Sequence, residues 1–433
     1  MKDIKSDQNI PLVQENIRLR NALAELSVLN DIATTINSTQ PVEKIVDLIV
    51  KKCVKHLNVE QGAIMLLDEK DKEKPLYTMI REQHSSLNLL PYRLDAYLNG
   101  AVLKNQTPLL VNNLKRDKKF KDLIDADTPI NSFLSVPLRV KNKMLGVLTV
   151  FNKISNEGFT LNDQRLLSII ATQSSQIIEN ARLLQEEQRY KLLQEEMRLA
   201  RETQLNLLPK ELPNIQNYQI AAKFIPAKEV GGDYYDVIKI DNENFAICLG
   251  DVSGKGLPAA MLMSNLQATL RSQTIIQKTC KSIIANSNNL LFYSTEPTRF
   301  ATLFYGILNL NSNEITYCNA GHNYPFYISK EGNISELKIG GTMIGSFLEV
   351  PYDEEKILID SGDMIVIYSD GITEAMNNNE DQYEEDKLKE IIIRNIETPP
   401  SELVEIIFND VARFVDKAPQ SDDISLMIIK RIA

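Results

Sequence analysis

Apolar positions recur along the chain in two rhythms, and the change from one to the other divides it. Between Glu15 and Asn37, Leu19, Leu23, Leu26 and Leu29 fall at steps of three and four, the spacing of one helix face. Such a stripe serves a partner helix or the helix's own domain equally well. Val42 to Leu57 repeats the pattern. Short β-favouring runs follow at Gln61 to Leu67, Leu109 to Asn112, Ser132 to Val140 and Met144 to Asn152, the last two separated by the hairpin-length turn Lys141-Asn142-Lys143. A helix, several strands and a closing helix within roughly 150 residues predict an α+β sensor unit.

The closing helix is the longest element. Phe159 to Leu208 contains neither Pro nor Gly, Thr160 and Asp163 resemble a capping box, and Pro209 stops the run. Ile170, Ile177 and Leu184 keep a seven-residue step. Tyr190, Leu193, Met197, Ala200, Gln204 and Leu207 then keep an a/d rhythm displaced by one residue. Two registers in one helix predict a parallel dimeric coiled coil with a phase slip, the alternative being a helix folded back on its own chain. Gln204, at an a position, weakens the seam and lets the junction take two arrangements, so these six residues form a candidate regulatory set.

After Pro209 the composition turns β-rich. Tyr218 to Phe224 reads as a strand, and Val230-Gly231-Gly232-Asp233-Tyr234-Tyr235-Asp236 follows. The run from Asn244 to Leu249 delivers Gly250-Asp251-Val252-Ser253-Gly254-Lys255-Gly256, and Pro258 opens a helical pattern to Gln277. Three polar turns, Asn311-Ser312-Asn313, Glu331-Gly332-Asn333 and Ser361-Gly362-Asp363, predict three hairpins. The last strand of the third ends in Ser369-Asp370-Gly371. Helical patterns run from Asp386 to Asn395 and Ser401 to Lys417, and Ser421-Asp422-Asp423 precedes a final strand, Ile424 to Ile429.

Asp233, Asp251, Asp370 and Asp422 with Asp423 thus all stand at strand edges, far apart in sequence. One Asp in such a turn is ordinarily a cap, but four beside strands that stack in one core point to a shared site. Ligands without His or Cys are hard oxygens, which select magnesium or manganese. Two such ions bridged by one carboxylate acidify a water and neutralise a phosphoryl group without a side-chain nucleophile. The glycine turn and Lys255 offer a landing place for an anion.

Composition narrows the classes further. The 433 residues are 43% hydrophobic and 24% charged, a globular balance long enough for two or three units. A net charge of −10 argues against a general nucleic-acid binder. Four unpaired cysteines, Cys53, Cys248, Cys280 and Cys318, fit a reducing cytoplasm, and no run predicts a membrane span.

Two resemblances rest on these residues. Gly62 to Asp68, Ser135-Val136-Pro137-Leu138, Leu145-Gly146-Val147-Leu148, Phe159 to Asp163 and Ile178 to Leu183 resemble a GAF domain. That family binds varied small ligands or dimerises, so the ligand here is unknown. Asn152-Lys153, Phe159 and Asp163 follow the order of a motif of cyclic-nucleotide-binding members, with Gln164 where that motif has an acid. The alternative reading is that they cap and pack the closing helix. Cys53, His56 and His84 are read as packing or surface residues.

Gly231 to Asp236, Gly250 to Gly256, Asn319-Ala320-Gly321-His322-Asn323, Ser369 to Glu374 and Asp422 to Ser425 resemble the metal-dependent (PPM-type) serine/threonine protein phosphatases of the SpoIIE- and RsbU-like branch. The resemblance implies an α-β-β-α sandwich and two Mn²⁺ or Mg²⁺ ions. Asp251 is implied to bridge both ions with help from the Val252 carbonyl, Asp233 to bind one, and Asp370 and Asp422 the other; Asp251, Asp233 and Asp370 are the implied catalytic residues. Asp236, Asp423, Gly254 and Lys255 support the ligands or the substrate, Lys223 and Lys228 are further bases near the first acidic motif, and His322 is either a general acid or a loop-fixing group. The expected substrate is a phosphorylated STAS-domain anti-sigma-factor antagonist.

The expected α+β architecture is a polar helical segment (1–24), a GAF domain (25–183), a coiled-coil linker and regulatory helix (184–208) and a phosphatase domain (209–433). A cytoplasmic homodimer through the linker is expected, with neither nucleic acid nor membrane as partner. Two other functions stay open: a pseudophosphatase that holds a phosphorylated partner, and a small-phosphoester hydrolase.

Overall fold

The computed structural model describes residues 40–67, 76–83, 100–117, 119–120, 130–296 and 298–433, with isolated positions between 15 and 31. His84 lies outside the described residues. The chain forms two compact units, Met1–Leu192 and Leu193–Ala433.

In the first unit the short runs pair into a five-stranded antiparallel sheet. Strands β1 (Val59–Leu67), β2 (Leu76–Gln83), β3 (Leu109–Val111), β4 (Phe133–Val140) and β5 (Lys143–Lys153) take the order β2-β1-β5-β4-β3. Helix α1 (Val42–Leu57) lays Ile45, Ile49 and Cys53 on one sheet face, where Leu134, Leu148 and Val150 meet Leu167 and Ile170 of the closing helix. Cys53 is therefore a core residue, and burial pushes its thiol up to about 12. The His56 ring pairs with Asp31 at 3.1 Å. Of the first leucine stripe, Leu19, Leu23 and Leu26 are exposed.

The order Asn152-Lys153, Phe159, Asp163 has a mechanical explanation. Lys153 Nζ donates to Asp163 Oδ1 and to the Leu57 carbonyl, each at 2.8 Å. Asp163 Oδ2 accepts from the Thr160 amide while Thr160 Oγ1 accepts from the Asp163 amide, a reciprocal cap. Phe159 is held through its backbone by Asn112. These residues fasten the start of the closing helix, as the packing reading expects.

That helix, α2 (Leu161–Leu205), runs 45 residues without interruption, about 65 Å at 1.5 Å per residue. Its predicted regulatory stripe changes character along its length. Tyr190 and Leu193 are exposed, Met197 and Ala200 are half-buried, and Gln204 is buried. Gln204 is thus not left facing a partner helix. This corrects the expectation of a polar residue in a dimer seam, because its side-chain amide is bonded to Gly231 of its own unit.

The second unit is a sandwich of two sheets. One contains β7 (Tyr234–Lys239), β8 (Asn244–Val252), β9 (Ala301–Asn309), β10 (Glu314–Ala320) and β13 (Gly340–Gly341), ordered β13-β10-β9-β8-β7, with β14 (Glu355–Leu358) on β10. The other contains β6 (Tyr218–Ile225), β11 (Phe326–Ile328), β12 (Ile334–Glu336), β15 (Met364–Tyr368) and β16 (Ile424–Arg431), ordered β12-β11-β15-β16-β6. Phe245, Ile247, Leu249 and Phe304 of the first sheet pack against Ile365, Ile367, Met427 and Ile429 of the second. The opposite face of the first sheet carries α3 (Leu257–Ile276) and α4 (Cys280–Ser294). That of the second carries the short α5 (Asp370–Thr373), α6 (Glu384–Arg394) and α7 (Pro400–Val415). The layers are the expected α-β-β-α.

Two of the three predicted hairpins form, at Asn311-Ser312-Asn313 and Glu331-Gly332-Asn333. The third does not. β14 pairs with β10, whereas β15 lies between β11 and β16 with both edges taken, so Ser361-Gly362-Asp363 carries the chain from one sheet to the other. Asp363 anchors that crossing by accepting from the Lys330 and Asp360 amides. All four cysteines are free and buried. Among the described residues no helix is long and apolar enough to cross a membrane.

Candidate metal centre

Strand alternation decides where each acid points. On β8, Phe245, Ile247 and Leu249 face the opposite sheet, so Asp251, in the same phase, emerges between the sheets at their end. The phase of Tyr235 and Val237 brings Asp233 there from β7, and that of Met427 and Ile429 brings Ser425 and Asp423 from β16. Ser369, in phase with Ile365 and Ile367, completes the set just before Asp370. One end of the inter-sheet layer therefore gathers carboxylates from four separate stretches.

Their mutual field is strong. Burial, with the charge of Asp251 next, pushes Asp233 well above the usual carboxylate range. Burial, followed by the charge of Asp370, pushes Asp251 up to about 7. Burial with Glu374 and Asp422 pushes Asp370 up to about 6. Like charges converging in a low-dielectric pocket are tolerated only when protonated or when a cation joins them. Asp233 adds a second sign: its Oδ2 accepts from Ser425 Oγ at 2.5 Å, whereas its buried Oδ1 has no hydrogen-bond partner in the structure. All donors are hard oxygens, which fit Mg²⁺ or Mn²⁺. Among the described residues no three such side chains are already drawn to ligand distances, and Asp422 is held aside by Lys255.

Asp423 acts on the neighbouring loop. It accepts from the amides of Ala227 at 2.8 Å, Gly232 and Asp233. Burial raises its pKa, and these amides oppose the rise. The loop passes so close that a Cβ at Gly231 would stand 2.3 Å from Asp423 Oδ2, and one at Gly232 would stand 2.7 Å from the Val252 carbonyl. Only glycine allows both approaches. Gly254 and Gly256 sit at φ 98° and 75° on the turn after Asp251.

Asp236 does not join the cluster. Its phase turns it into the helix layer, where it accepts from Tyr234 Oη at 2.7 Å and from Arg271 Nε at 2.7 Å. Lys255 is committed too: its Nζ donates to the Ser421 carbonyl at 2.6 Å and pairs with Asp422 at 2.9 Å, which raises its pKa. It is a partner of the acids rather than a free phosphate ligand. Lys223 is similarly taken by Glu405 at 2.6 Å. His322 is buried, its Nδ1 sharing a hydrogen bond with Thr302 Oγ1 at 2.9 Å, and burial lowers its pKa to about 4. The Thr302 bond ties it to β9, as the loop-fixing reading expects.

Ser425 and Ser369 fall inside the sequence motifs but had no role assigned to them, and Arg271 was not singled out. Ser425 had a legible signal, standing two residues from Asp423 on one strand face. Ser369 donates to the Asp423 carbonyl and accepts from the Ser425 amide, tying β15 to β16 beneath the acids. Gln204 is the other surprise. Its Nε2 donates to the Gly231 carbonyl at 2.6 Å and its Oε1 accepts from the Gly231 amide at 3.1 Å, so the end of α2 grips the loop that carries Asp233.

Two packed sheets between helix layers, with metal-ready acids at one end of the seam, define the PP2C class of metal-dependent phosphatase. Residues 241–432 match the family model for stage II sporulation protein E (SpoIIE), and residues 39–179 match that for a GAF domain. Phosphoserine phosphatase RsbU of Bacillus subtilis is 30% identical over 240 residues, covering 55% of this chain and 71% of RsbU. Protein IcfG of Synechocystis sp. is 30% identical over 263 residues, covering 54% of this chain but 41% of IcfG, so the chain spans less than half of that relative. The SiaA-PP2C domain of Pseudomonas aeruginosa superposes with a TM-score of 0.50 at 17% identity, covering 56% of this chain and 98% of that domain, a likeness of fold. The chain belongs to the SpoIIE/RsbU-type family of PP2C phosphatases, with a GAF domain ahead of the phosphatase domain.

Proposed function

We propose that the second unit hydrolyses phosphoserine or phosphothreonine on a protein. The observation that carries this is the convergence of buried and half-buried, mutually repelling carboxylates at one end of the sandwich, with Asp251 raised to about 7 and Asp233 Oδ1 left without a partner. Asp251 would hold two divalent ions together with the Val252 carbonyl, Asp233 one of them, and Asp370 and Asp422 the other. Such ions, Mn²⁺ or Mg²⁺, supply charge neutralisation for the phosphoryl oxygens and a water acidic enough to attack near neutral pH. The chain's own groups do the positioning: Ser425 orients Asp233, Asp423 fixes the loop before it, and Lys255 restrains Asp422.

The substrate we propose is a phosphorylated STAS-domain protein, in keeping with a relative named as a phosphoserine phosphatase. Control passes from the GAF domain, with or without a small ligand, through α2 to the Gln204 contact, and a homodimer forms through the exposed upper stripe at Tyr190 and Leu193. The boundaries 25–183, 184–208 and 209–433 remain our division of sensor, linker and enzyme.

The test is phosphate release from a phosphorylated STAS-domain protein with and without manganese, for wild type and Asp251→Asn. Metal-dependent turnover abolished by the substitution supports the reading. Tight binding without turnover replaces it with a pseudophosphatase, and turnover confined to small phosphoesters replaces the protein substrate.

A further inference from the structure

Beside the acids, on the helix side of the second sheet, lies a preformed apolar hollow that the chemistry above leaves unused. Its cavity measures about 260 Å³ and is lined by Phe408, Val411 and Val415 of α7 together with Met376 and Ile424. Gly371 and Ser421 also line it. Gly371 is bonded to Asp370 and Ser421 to Asp422, so the hollow touches the site through the immediate neighbours of two of the proposed ligands.

The wall is built rather than collapsed. Gln420 Nε2 donates to the Ile225 carbonyl at 3.0 Å and to the Asp422 carbonyl at 2.6 Å, and Lys255 holds the Ser421 carbonyl at 2.6 Å. These bonds tie the segment after α7 to β6 and to the catalytic turn, keeping the hollow open. Met376 stays 41% exposed beside it. An apolar concavity that adjoins the acids through Gly371 and Ser421 has the character of a recognition pocket. Its rim includes Asp416 and borders Asp422, so an acidic occupant is disfavoured.

We propose that this hollow is a substrate subsite, receiving an apolar side chain from the segment flanking the phosphorylated residue of the protein substrate. The inference rests on the phosphatase reading and assigns its sequence preference. An extended peptide advances about 3.3–3.6 Å per residue. With the phosphoryl group at the acids, a side chain only a residue or a few along therefore reaches past Gly371 or Ser421.

The experiment uses the full chain with Mn²⁺ and two kinds of probe: phosphoserine peptides carrying Leu, Ala or Asp at each nearby position, and p-nitrophenyl phosphate, which has no flanking residue. Leu at one position should raise kcat/KM about tenfold over Ala, the usual worth of an apolar pocket contact, with Asp poorest. Ala412→Trp, at an exposed α7 position on the pocket wall, and Met376→Glu should each erase that preference while the small phosphoester is turned over as in wild type. A flat positional profile overturns the subsite, as does a preference that survives both variants or a changed oligomeric state in Ala412→Trp. Failure of wild type to hydrolyse either probe would overturn the phosphatase reading itself, an outcome distinct from the others.

Discussion

Gln204→Ala separates a coupling role for the end of α2 from a seam role. In the structure one side-chain amide closes two hydrogen bonds on Gly231, at 2.6 and 3.1 Å, with Gln204 only 5% exposed. Truncation leaves a backbone N–H and a backbone C=O without partners. Each such group costs about 1–3 kcal/mol when fully buried. An apolar groove lined by Ala200, Leu207, Leu257 and Met261 opens beside Gln204, so water can reach part of the gap, and the lower end of that range applies, about 2–3 kcal/mol in total. For a unit of this size, 1 kcal/mol moves Tm by about 2–4 °C, so the second unit should melt about 5–10 °C earlier. Hydrogen exchange should accelerate at Gly231 and Gly232 and spread to Asp233. Calorimetry of the full chain with peptide-resolved exchange reads both effects. A seam residue predicts the reverse, because removing a buried polar group from an apolar interface strengthens the dimer. An unchanged second-unit Tm with unchanged exchange at Gly231 would refute the coupling.

Two further perturbations test other parts of the structure. Asp163→Ala removes the ion pair with Lys153 and the side-chain half of the reciprocal cap, and should destabilise the first unit by about 1 kcal/mol at neutral pH once the ion pair is discounted for solvent screening. Burial opposes ionisation of Asp163, but Lys153 and Thr160 outweigh it and leave its pKa lowered. The stabilisation is therefore full above the unfolded value and lost as pH falls through the folded one, so the gap between wild type and variant should close on acidification; a gap constant in a pH series of melts would count against the pair. Ser425→Ala removes the hydroxyl that holds Asp233 Oδ2. It should weaken Mn²⁺ binding about tenfold, ~1.4 kcal/mol, read as the manganese midpoint of thermal protection, and an unmoved midpoint would exclude Ser425 as a positioning residue.

The fold was legible where two periodicities agreed with local turn chemistry. Alternation along β8 and the glycine turn after it singled out Asp251, and the same reading singled out Asp233, Asp370 and Asp422, whose stretches the structure brings to one end of the sandwich. It erred where local chemistry is shared by different long-range outcomes. Ser361-Gly362-Asp363 has the composition of a hairpin turn, but pairing depends on free strand edges, and β11 and β16 had already taken both edges of β15. Asp236 stands in the same glycine-rich stretch as Asp233, yet three residues on a strand reverse the face, and Arg271 receives it there. Gln204 kept a heptad rhythm because a helix packed on its own unit and a helix packed on a partner need the same stripe. No periodicity distinguishes the two.

The placement of Asp233 depends on restraints from both ends of the second unit's sequence. Asp423, just ahead of the last strand, holds the amides of Ala227, Gly232 and Asp233, and Gln204, ahead of every strand of the sandwich, holds both polar groups of Gly231. Between them the glycine pair passes within touching distance of Asp423 and the Val252 carbonyl, leaving no room for the loop to shift inward without a clash. The Asp423 bonds come from the start of β16, which Ser369 ties to the end of β15, whereas the Gln204 bonds come from the end of α2. Under the control proposed above, a change in α2 would act on Asp233 from the Gln204 side, while the sheet side would keep the remaining acids in register.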